Sequence, residues 1–70
     1  MNKLKEIGEH CKKFRVFLGY KQSNVAFETG YSKENVSSFE CGRNNNAIIY
    51  NWYVEHGLVD FVGVVNYGNR

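Results

Sequence analysis

Residues Gln22 to Gly42 read QSNVAFETGYSKENVSSFECG, and the reading of this stretch decides the fold. It parses as two short helices joined by a tight turn at Gly30. Val25 and Ala26 point inward from the first helix, and the small Ala26 lets the two axes approach. Gly30 carries no Cβ, so it enters the left-handed region at no steric penalty. Ser32 is placed to cap the second helix, its hydroxyl accepting from a first-turn N–H. Val36 and Phe39 lie three apart and share one face. Tyr31 is the apolar plug of the turn. These are the parts of a helix-turn-helix, in order.

Working outward, the second helix of the pair presents Lys33, Glu34, Asn35, Ser37 and Ser38 away from the core. Short polar residues are poor helix formers, so Ser37 and Ser38 add nothing to local stability. An ordinary solvated face and a base-reading surface account equally well for such a set. Gly42 ends the helix. Arg43, Asn44, Asn45 and Asn46 follow as a polar loop with one cation. Its amides and its guanidinium are suited to gripping a phosphate, and asparagine tolerates turn backbone. Phe27 falls one position beyond Ala26 and reads as a partly buried rim residue.

Beyond the loop, Ala47 to His56 is expected to be helical, with Asn46 as N-cap. Ile49, Trp52 and Tyr53 share its core face, and His56 reads as a satisfied histidine at the core edge. Gly57 stops the helix and Leu58 caps the core. The last stretch, VDFVGVVNYGNR, is β-branched and interrupted by Gly63, which fits a short helix or an edge strand. Either form leaves Phe61, Val62, Val65 and Tyr67 with more apolar surface than so small a core absorbs. That surplus argues for a homodimer. Residues 66–70 are expected to be a flexible tail.

Upstream, Leu4, Ile7, Cys11, Phe14 and Leu18 recur at spacings of three and four over Asn2 to Leu18, one apolar stripe of a helix. Lys5, Glu6, Glu9, Lys12 and Lys13 take the other side, with Glu9 and Lys13 as an i,i+4 pair. Gly8 costs up to about 1 kcal/mol relative to Ala in a helix interior, which fits a close packing contact there. Gly19 suits the C-terminal cap.

At 70 residues, 43% hydrophobic and 16% aromatic, the chain reads as a single domain, 1–70, with a modest core. The absence of proline agrees with an all-α chain with short connections. A net charge of +2 permits nucleic-acid binding without requiring it. Cys11 and Cys41 have no CxxC spacing and read as ordinary thiols; with His10 and His56 they give no finger spacing, so no metal and no cofactor are expected. There is no paired-carboxylate, nucleophile-and-base or phosphate-loop pattern, so an enzyme is not expected. Neither a signal peptide nor a bilayer-length apolar run appears, and a cytoplasmic location without membrane association is expected.

Taken together, Arg15, Gly19, Gln22, Val25, Ala26, Gly30, Tyr31, Ser32, Val36, Phe39, Glu40 and Gly42 resemble the phage-repressor and Cro type of helix-turn-helix proteins, the XRE family. The resemblance runs from about Ile7 to Leu58. It implies a compact, lambda-repressor-like bundle of four to five helices. It also implies an ion pair between Arg15 and Glu40, tying the first helix to the end of the third. Gln22 matches a glutamine that anchors the second helix at a DNA backbone. Lys33, Glu34 and Ser38 match positions facing base edges, flanked by Asn35 and Ser37. Arg15, Lys21, Arg43 and Asn45 match or neighbour backbone-contacting positions. The family commonly binds palindromic operators as dimers.

Two functions follow as expectations. The first is a sequence-specific regulator of transcription, a small phage or mobile-element repressor acting as a dimer on double-stranded DNA through Gln22, Ser32, Lys33, Glu34, Asn35, Ser37, Ser38, Arg43 and Asn45. The second is a protein-binding module on the same scaffold, such as a phage inhibitor of a host protein or an antitoxin. It is motivated by Phe17, Phe27, Glu34 and the apolar C-terminal stretch.

Overall fold

A computed structural model describes the backbone of residues 3–67 and the side chains of residues 3–63. Five helices follow one another: α1 (Lys3–Leu18), α2 (Gln22–Thr29), α3 (Lys33–Glu40), α4 (Ala47–Glu55) and α5 (Leu58–Tyr67). No strand occurs among the described residues. The final stretch is therefore helical as far as Tyr67, and the edge-strand alternative falls away. α5 also runs through Asn66 and Tyr67, taking in the first two residues of the expected tail; residues 68–70 lie outside the described residues.

The helix ends follow from local chemistry. Gly30 closes α2 with φ 80° and donates its N–H to the Ala26 carbonyl. A side chain there would carry the left-handed penalty. The Ser32 hydroxyl accepts from the Asn35 N–H at 3.1 Å and starts α3. At the far end of α3, the N–H of Gly42 bonds the Phe39 carbonyl and that of Arg43 bonds the Ser38 carbonyl. That paired arrangement satisfies the last carbonyls of the helix. Asn46 Oδ1 accepts from the N–H groups of Ile48 and Ile49 and starts α4.

The core is Cys11 and Phe14 of α1, Val25 and Ala26 of α2, Val36 and Phe39 of α3, Ile49, Trp52 and Tyr53 of α4, and Leu58 of α5. Every helix contributes, and the aromatics interlock: Tyr53 stacks on Phe39, while Trp52 meets Tyr53 edge-on. Burying each such side chain is worth about 1.5–3 kcal/mol. The α1 stripe is narrower than its spacing implies. Leu4, Ile7 and Leu18 keep 37–38% of their surface, because α1 extends past the small core at both ends.

Backbone proximity explains two glycines. A Cβ on Gly8 would lie 2.5 Å from the Glu40 carbonyl oxygen and 2.7 Å from that of Phe39. A Cβ on Gly42 would lie 2.5 Å from the Lys5 Cα. α1 and the end of α3 therefore touch backbone to backbone. α5 packs on α1 and α4, on a different side of the molecule from α2 and α3.

Candidate nucleic-acid interface

The α2–turn–α3 pair is held to α1 by a buried polar node at Glu40. Arg15 Nε donates to Glu40 Oε2 at 2.8 Å, and Arg15 Nη2 donates to Oε1 at 3.1 Å. Gln22 Nε2 donates to Oε1 at 3.1 Å, and the Tyr53 hydroxyl donates to Oε2 at 2.5 Å. Arg15 Nη1 also donates to the Tyr20 carbonyl at 2.9 Å. Arg15 and Glu40 are 8% and 4% exposed. Helices α1, α2 and α4 thus each place one side chain on the single carboxylate that α3 supplies.

Burial alone would push the Glu40 carboxyl upward. The hydrogen bonds from Arg15, Tyr53 and Gln22 outweigh it and hold the group below its ordinary value, so it is ionised. The same contact raises Arg15. Burial, then the charge of Glu40, pushes the nearby Cys11 thiol up to about 12, and the Tyr53 hydroxyl is also raised, by burial and by its bond to Glu40. A buried pair of this kind fixes geometry more than it adds net stability. Here it fixes the orientation of α3 against α1.

That orientation determines what α3 shows. Val36, Phe39 and Glu40 are buried, whereas Lys33, Glu34 and Asn35 are exposed and Ser37 and Ser38 are half-buried. At about 100° per residue, Glu34 stands opposite the buried face. Ser38 lies on one side of it, and Ser37 with the exposed Cys41 on the other. Lys33, Ser37 and Cys41 therefore form one row at i,i+4 spacing, and Glu34 and Ser38 form the next.

The other named residues separate into distinct places. The Ser32 hydroxyl is engaged in capping α3. Gln22 is half-buried, and one N–H of its amide is bonded to Glu40. Arg43 and Asn45 are exposed on the loop after α3, while Asn44 Oδ1 accepts from the Asn46 N–H within that loop. Phe61 and Val62 pack half-buried against the core, with Phe61 5.2 Å from the rings of both Phe14 and Phe17. They lie on the α1–α5 side, away from α3. The side chains of Val65 and Tyr67 lie outside the described residues.

Phe27 departs from its sequence reading. Expected as a rim residue, it is 88% exposed. α2 buries only Val25 and Ala26, and no element passes over the next position. Phe17 is also open, at 71%. Two further features escaped the sequence reading. Cys41, a free thiol at the C-cap of α3, continues the outward row of Ser37; its spacing of four from Ser37 was the available signal. Lys5, Lys12 and Lys13 border a groove of roughly 610 Å³ between α1 and α3, with Glu9, Val16, Gln22, Ser37, Glu40 and Cys41. Their spacing along α1 was legible, but the wall opposite them was not.

Other chemistry is sparse. Cys11 and Cys41 are free thiols, one buried and one exposed. The Trp52 indole N–H donates to Glu28 Oε1 at 2.6 Å. His56 lies against the Trp52 carbonyl through Nδ1 at 2.6 Å and stacks on the Trp52 ring. Among the described residues no three His, Cys, Asp or Glu side chains converge as metal ligands, and no helix is long and apolar enough to cross a membrane.

Comparisons with protein-family models, with curated proteins and with solved structures found no match to this chain.

Proposed function

We propose that this chain is a sequence-specific double-stranded DNA-binding protein of the phage-repressor and Cro type, with α2 and α3 as its helix-turn-helix in a lambda-repressor-like bundle. On this reading it regulates transcription as a homodimer on a palindromic operator. α3 enters the major groove. Lys33, Glu34, Asn35, Ser37 and Ser38 face base edges, and Arg43 and Asn45 meet phosphates. Lysine donates to guanine O6 or N7, and glutamate accepts from cytosine N4. Ser32 acts mainly by capping α3, and Gln22 by tying the first residue of α2 to Glu40.

The observation that carries the reading is the Arg15–Glu40–Gln22–Tyr53 node. It clamps a short helix rigidly while leaving its opposite face polar and open, as readout of base edges requires. Selection of bound sequences from random duplex DNA tests it. The expected result is a palindromic consensus whose binding weakens steeply with salt. No retention of duplex DNA at low salt, from random or genomic libraries, would sink the reading.

A second reading is favoured by one observation, the 88% exposure of Phe27. An aromatic ring so open on α2 suits docking of another protein on the same scaffold. An equimolar complex with one protein, formed without DNA and lost in Phe27→Ser, would support that alternative.

A further inference from the structure

We propose that the groove between α1 and α3 is a second seat for the DNA backbone, with Lys12 and Lys13 as its phosphate-binding residues. This rests on the DNA-binding reading above and extends it to a helix outside the α2–α3 pair.

Lys5, Glu9, Lys12 and Val16 follow one another along α1 at spacings of four, three and four, with Lys13 beside them, so they form one wall. Ser37 of α3 and Cys41 at its C-cap form the other. Gln22 lies at the end where α2 begins. The groove therefore opens on the same face as the outward residues of α3, immediately beside Ser37. A duplex seated on that face brings one of its strands along this flank. The charge matches: Lys12 and Lys13 line the groove against one exposed carboxylate, Glu9, because Arg15 neutralises Glu40. Lys12 and Lys13 are exposed and form no ion pair among the described residues, including the Glu9–Lys13 pair that their spacing allows. Their ammonium groups are available to a phosphodiester. Phosphate contacts position a protein without reading sequence, so the groove adds affinity and register, and base preference stays with α3.

The test compares Lys12→Gln and Lys13→Gln with Asn51→Asp, which lowers the net charge by the same one unit on α4, outside the groove. Binding of the selected duplex and of a scrambled duplex is measured across a salt series. Each lysine variant should weaken both duplexes by the same factor and flatten the slope of log K against log salt by about 0.9 per protomer, about 1.8 for the bound dimer. Lys12→Arg should restore the slope, and Asn51→Asp should leave it unchanged. Matching thermal melts show that the folds are intact. If the parent binds its selected duplex but the lysine variants keep its slope, the groove proposal is overturned and the DNA reading stands. An equal loss in Asn51→Asp overturns it too, by tracing the effect to net charge. If the parent binds no duplex, both fall, and capture of an acidic peptide by the groove becomes the competing account of its charge.

Discussion

Replacing Arg15 with Met isolates what the buried node contributes. The substitution keeps most of the aliphatic volume and removes the guanidinium. Glu40, 4% exposed, then retains the Tyr53 hydroxyl and the Gln22 amide but no cation. Removing one partner of a buried ion pair costs about 3–5 kcal/mol, because a buried charge is left uncompensated. A domain of this length has roughly 0.05–0.15 kcal/mol of stability per residue, so the loss takes a large share of the whole. At about 4–8 °C per kcal/mol for a domain of this size, the melting temperature should fall by tens of degrees, measured by far-ultraviolet circular dichroism with urea unfolding as a check. Adding Glu40→Leu should recover part of the loss, since it removes the stranded charge. The pH dependence supplies a second check. In the parent the folded carboxyl lies below its unfolded value, so its stabilisation is present above the ordinary glutamate range and is lost as pH falls through the folded value. Without Arg15, burial acts on Glu40 with less opposition, and protonation relieves the variant. The gap between parent and Arg15→Met should therefore narrow as pH falls from 7 to 4. A loss below about 1 kcal/mol, or a gap constant across that range, would refute the assignment of Glu40 as a buried charge held by Arg15.

Three further outcomes are expected. Gly8→Ala should destabilise by about 1–3 kcal/mol in urea unfolding, although alanine is the better helix former, because its Cβ meets the Glu40 and Phe39 carbonyls at 2.5 and 2.7 Å. Asn46→Ala should cost about 1 kcal/mol, read in the same titration, through loss of the bonds to the Ile48 and Ile49 N–H groups. Phe27→Ser should change the melt by no more than about 0.5 kcal/mol, since the ring is 88% exposed; a larger loss would show that it packs in solution.

The local elements are legible from residue order alone. Gly30, Ser32, Gly42 and Asn46 act through their own backbone or the next few residues, so the turn and the caps are legible from residue type. Val25, Val36, Phe39, Ile49, Trp52 and Tyr53 follow helical spacing and are buried. The Arg15–Glu40 pair was available only through the family resemblance, because no periodicity links residues 25 apart. The final stretch stayed open between helix and strand, since β-branched residues around Gly63 weaken a helix on propensity alone; packing of α5 on α1 and α4 settles it. Which side chains face one another across helices came from packing. Spacing on one helix describes that helix's faces, and a groove needs two. Lys12, Lys13, Ser37 and Cys41 come together because Gly8 lets α1 touch the end of α3, and Phe27 stands open because no element crosses it.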